Sequence, residues 1–93
     1  MQSDIKASVF VAADSPDTVV NHRARLRGVS YISAASAGSI VFKDGASGAT
    51  LLELKTPASV GQSDVIIPDQ GILFSNQIYC TLTNVTAVTV FHS

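Results

Sequence analysis

The sequence has no tryptophan, one cysteine and one glutamate among its 93 residues, and only 14% of it is charged. A single cysteine, Cys80, excludes an intrachain disulfide framework and leaves too few soft ligands for a cysteine-based zinc site. Its setting, Ile78-Tyr79-Cys80-Thr81-Leu82, alternates in the strand period and suits a buried structural thiol better than a reactive one. No apolar run approaches the ~18 residues that span a bilayer. Met1-Gln2-Ser3-Asp4 has neither the basic start nor the apolar stretch of a secretion signal, so the expectation is a protein made in a cytosol and kept there or packaged from it.

Charge of either sign is scarce. Six Lys+Arg against seven Asp+Glu leave a net charge of -1, so no global field draws the chain to nucleic acid or to anionic lipid. Neither is expected as a partner. The charged share falls well below the roughly 25% of an ordinary soluble domain, and a charge-poor surface suits contact with other protein. At this length the chain has room for one core, and the expectation is a single domain over residues 1–93.

What is abundant is valine, isoleucine and threonine, 25 residues together, which favour strands over helices. Ile5 to Ala13 alternates, with Ile5, Ala7, Val9 and Val11 on one face and Lys6, Ser8, Phe10 and Ala12 on the other. Asp14-Ser15-Pro16-Asp17 reads as a turn. A helix competes next, with Ser15 as cap, Pro16 at its first position and Gly28 at its end, but Val19, Val20, Ala24 and Leu26 make no continuous stripe. Ala24, Leu26, Gly28, Ser30 and Ile32 instead alternate against Arg23, Arg25, Arg27, Val29 and Tyr31, which predicts a strand over Arg23 to Ser33. Ser39 to Lys43 and Thr50 to Lys55 flank an Asp-Gly loop and predict a hairpin. Asp64 to Ile67, stopped by Pro68 and an Asp69-Gln70-Gly71 turn, and Ile72 to Phe74 are shorter strands. Gln77 to Thr83 and Val88 to His92 read as a second hairpin around Asn84-Val85-Thr86-Ala87. About seven short strands separated by turn signals describe an all-β fold, a small antiparallel β-sandwich of jelly-roll or barrel type.

Chemistry has little to build on. Catalysis by nucleophile and base needs both groups and an orienting partner within hydrogen-bond reach. His22 and His92, the two histidines, read as exposed polar residues. Asp14, Asp17, Asp44 and Asp69 fall in turn signatures, where aspartate bonds local backbone, and Glu53 fits an outward strand position. No catalytic residue, metal site or cofactor is expected. Half of the basic residues fall in Arg23-Ala24-Arg25-Leu26-Arg27, which a strand would set on one face at steps of about 7 Å. Such a ladder repels itself unless offset, either by carboxylates within the fold or by an acidic or carbonyl-rich surface of another subunit. Arg23, Arg25 and Arg27 are therefore interface candidates, with Tyr31 the aromatic nearest them.

Arg25-Leu26-Arg27-Gly28-Val29-Ser30-Tyr31, the hairpin Gly38 to Gly45 and the ending Leu82 to Phe91 resemble small β proteins encoded by tailed bacteriophages, marine and cyanobacterial ones included; the likeness covers roughly residues 18 to 93. The resemblance implies a virion structural protein without catalytic residues, a capsid cement or decoration protein or a tail- or fibre-associated module recognising a host-surface ligand. It further implies a place in the virion, and the major capsid protein or another virion protein as partner. A homo-oligomer follows from the need to cover edge strands.

Overall fold

A computed structural model describes residues 5–67 and 71–93. Among them the chain forms β1 (Lys6–Val11), a short 3-10 turn (Ala12–Asp14), β2 (Asp17–Val20), β3 (Ala24–Ser33), β4 (Gly38–Asp44), β5 (Thr50–Thr56), β6 (Gly61–Ile66), β7 (Ile72–Phe74), β8 (Ile78–Thr83) and β9 (Val85–His92). All pairings are antiparallel. One sheet runs β1-β9-β3-β6, with β7 beside the start of β3, and the other runs β2-β8-β4-β5. First pairs with last, second with second last, and fourth with fifth, so the chain is one long hairpin rolled into two sheets. That is jelly-roll topology.

The core lies between the sheets because each strand turns its bulky alternate residues inward. Phe10, Tyr31, Val29, Val88 and Val90 come from the first sheet, and Ile40, Phe42, Ile78, Cys80 and Val20 from the second. Leu52 and Leu54 of β5 pack half-buried against them. Tyr31 and Phe10 both stand beside Val88, and Phe42 stands beside Cys80. Burial pushes the Cys80 thiol up to about 12, so it stays protonated and inert, as its sequence setting suggests.

Three sequence expectations change. The stretch after Pro16 contains a strand, β2, where a turn and a competing helix stood. Gln77–Thr83 and Val88–His92 do not form a hairpin: β8 pairs with β2 and β4, whereas β9 pairs with β1 and β3. The chain crosses between sheets at Asn84, whose φ of 52° takes the left-handed conformation that asparagine tolerates. Asn84 Nδ2 donates to the Ala37 carbonyl at 3.0 Å, and a Cβ on Gly38 would collide with the Thr83 carbonyl. The corner therefore closes only over a glycine. The β4–β5 hairpin forms as expected, with Gly45 at φ 86° and the Asp44 amide donating to Ala49 O at 3.0 Å.

The third change is in β3. Leu26 stands opposite His92 but Gly28 stands opposite Phe91, so β3 advances two residues while β9 advances one. This is a β-bulge at Arg27, and a bulge flips every later side chain to the other face. Val29 and Tyr31, expected on the arginine side, point into the core, while Gly28, Ser30 and Ile32 join the outer side.

Candidate assembly surface

The outer face of the β1-β9-β3-β6 sheet is built in rows. Ala7, Phe91, Gly28 and Ile66 stand side by side, as do Val9, Thr89, Ser30 and Asp64, and then Val11, Ala87, Ile32 and Gln62. Of these twelve residues one is ionisable, Asp64 on the edge strand. Val9 is 72% exposed and Ile66 86%, and Val11, Ile32 and Phe91 are exposed with them. Ile5, immediately ahead of β1, extends the exposed apolar surface. Phe91 leans toward the centre of the sheet, its Cδ2 3.8 Å from where a Gly28 Cβ would stand. Seven of the eight large apolar residues that the described chain exposes belong to this sheet or immediately precede one of its strands, the other being Leu51. Clustering of that kind, unlike scattered exposed leucines, marks a surface meant to be covered.

The burial of β1 explains the patch. Of its two alternating sets, the one containing Lys6, Ser8 and Phe10 faces inward, and the wholly apolar set faces out. Phe10 fills the core, Lys6 sits at the strand end, and Ser8 is satisfied by a hydrogen bond between its Oγ and His92 Nε2 at 3.0 Å. A strand read for polarity alone gives no sign of this choice.

His92 is a correction to the sequence reading: it is buried, 5% exposed, rather than a surface residue. Its ring meets that of the exposed His22 edge-on, with centroids 6.5 Å apart, and His22 Nδ1 donates to the Arg23 carbonyl at 2.9 Å. Desolvation first, then His22 and then Lys6, hold His92 below the usual histidine range. A serine oxygen 3.0 Å from an imidazole nitrogen has the spacing of a nucleophile and its base. Here the base is enclosed, and its charged neighbours are cationic, so they oppose the imidazolium that such a base must become. Among the described residues no group of three or more His, Cys, Asp or Glu could hold a metal ion, and no helix is long and apolar enough to cross a membrane.

The four interface candidates do not come together as a ladder. Arg23 lies exposed in the bend before β3. Arg25 and Arg27 are half-buried on the outer side of β3, at the end of the apolar rows. Arg27 sits at the bulge, its Nε donating to Ser93 Oγ at 2.9 Å, and the Arg25 backbone exchanges hydrogen bonds of 2.9 and 3.0 Å with Ser93. Tyr31, 8% exposed, belongs to the core of the chain. Asp17 serves local backbone as expected, accepting from the Thr18 amide at 2.7 Å, whereas Asp44 accepts from the distant Asn76 amide at 2.8 Å, and Glu53 pairs with Lys55 on the surface. Asp69, with Pro68 and Gln70, lies outside the described residues.

No protein-family model matches the chain, and no curated protein does. Among solved structures it is similar to the cryo-EM structure of the virus-like particle of the extra small virus of the giant freshwater prawn Macrobrachium rosenbergii. The two share 9% identity at a TM-score of 0.38, over 99% of this chain and 79% of that one. So distant a likeness to a viral particle carries no function across.

Proposed function

We propose that this chain is a non-enzymatic structural protein of a tailed-phage virion, a cement or decoration protein that holds the shell through subunit contacts. The observation that carries this reading is the outer face of the β1-β9-β3-β6 sheet, apolar, nearly uncharged and open. A surface of that composition binds protein, because it has too few charges to hold nucleic acid. Arg23, Arg25 and Arg27 border it at one end, where they meet acidic or carbonyl groups of the partner while the rows between exclude water. The major capsid protein, or a virion protein beside it, is the partner, and the virion is where the chain resides.

The test is co-sedimentation of labelled protein with purified particles of the virus that encodes it. Wild type travels with the particles; Ile66→Asp and the triple Arg23→Ala/Arg25→Ala/Arg27→Ala variant stay behind. Full occupancy by the triple variant removes the arginines from the contact, and full occupancy by Ile66→Asp removes the face. A tail- or fibre-associated module reading a host carbohydrate needs aromatic rings in a groove. Phe91 is the one exposed large aromatic in the described chain, and it lies on an open sheet, so the cement reading is preferred.

A further inference from the structure

We infer that, off the particle, the outer sheet face pairs two copies of this chain face to face about a two-fold axis in the plane of the sheet, a contact that gives way when the face docks on the particle. The inference deepens the assembly reading above and rests on it.

Side-chain size on the two central strands is the first ground. Phe91 and Ala87 stand on β9 beside Gly28 and Ile32 on β3, so large residues occupy one diagonal of the block and small ones the other. Turning a copy over about an axis along the strands, or about one across them, exchanges the two diagonals. Large residues then meet small ones in both arrangements. Thr89 and Ser30, the central polar pair, meet hydroxyl side chains of the second copy. An isologous contact needs one patch complementary to itself, and this face has that property.

Charge is the second ground, and it selects the axis: turning about one along the strands brings the arginine ends of the two copies together, whereas turning about one across them sends those ends apart and leaves only Asp64, on the exposed edge strand, opposite its own counterpart. Area is the third. Four strands at about 4.8 Å spacing and about five residues at about 3.3 Å give a footprint on the order of 300 Å² per copy. Stable interfaces take up ~800 Å² per partner, so this contact makes a weak, reversible dimer that the particle surface can displace.

Sedimentation velocity over a concentration series from low micromolar to millimolar, with wild type and three variants, tests the inference. Wild type shifts from the 9.7 kDa monomer toward twice that mass as concentration rises. Phe91→Asp, on a central strand of the face, raises the dissociation constant about tenfold or more. Val9→Asp does the same and guards against a folding defect in the first variant, because Val9 is an exposed position on an edge strand. Leu51→Asp, exposed on the other sheet, leaves the dimer intact. A wild type that remains monomeric throughout overturns the inference, and so does a dimer that survives Phe91→Asp and Val9→Asp. Particle binding by the same proteins separates the two readings. A monomer whose particle binding still falls on Phe91→Asp defeats the two-fold contact and spares the assembly role; a face-dependent dimer that never binds particles does the reverse.

Discussion

Val9 and Phe10 are adjacent apolar residues whose substitutions should have opposite consequences. Phe10 lies in the core beside Val88 and Tyr31. Truncating it to alanine removes a buried ring and leaves a cavity, which costs about 3–5 kcal/mol. At roughly 0.05–0.15 kcal/mol per residue, a chain of this length has a total of about 5–14 kcal/mol, so the change removes about a fifth of it or more. In a domain of this size each kcal/mol moves Tm by about 4–8 °C, and Phe10→Ala should melt at least about 12 °C below wild type. Val9 touches mostly solvent, and Val9→Asp should alter unfolding free energy by no more than about 0.5 kcal/mol. Urea unfolding at low micromolar protein, followed by circular dichroism, measures both without interference from self-association. If Val9→Asp costs as much as Phe10→Ala, β1 buries its other side and the apolar outer face does not exist. Equal and small losses would instead mean that β1 adds little to the core.

Two further outcomes follow from the buried groups. His92 has a folded pKa below its unfolded value of about 6.5, so its contribution is complete above that pH and is lost as pH falls through the lower folded value. Tm should therefore drop between pH 7.5 and pH 5, and His92→Gln, which cannot take up the proton, should flatten that part of the profile; an unchanged slope would place the acid sensitivity elsewhere. Cys80 should not react with a thiol reagent at pH 8 in the native protein and should react stoichiometrically in urea, because burial both shields it and keeps it protonated. Rapid native labelling would show that β8 opens.

Period was legible in the sequence and facing was not. Alternation located β1, β3, β4, β5 and β8 to within a few residues, and the Asp-Gly loop identified the β4–β5 hairpin, since both signals are local. The flip after Arg27 is not local: nothing in Arg25-Leu26-Arg27-Gly28-Val29 says that β9 advances one residue while β3 advances two. That bulge moved Tyr31 into the core, while the ladder is broken at Arg23, which lies in the bend before β3. β6 begins at Gly61, ahead of the expected Asp64, because Gly61-Gln62-Ser63 reads as loop. Those residues are polar and small because the strand is exposed on both sides. His22 and His92, far apart in sequence, meet only because β9 lies between β1 and β3.

That placement of β9 also bears on how the chain is made. Ser8 and His92, hydrogen-bonded neighbours, are 84 residues apart, so at about 5–20 residues per second the ribosome delivers the second roughly 4–17 s after the first. Through that interval β1 and β3 lack the strand that joins them, and Val9, Val11 and Phe10 are all in water. Closure of the larger sheet awaits the arrival of β9, and the entropy of closing so long a loop makes that step slow. A nascent chain therefore carries unpaired apolar strands for seconds, during which a chaperone can bind or neighbouring chains can aggregate.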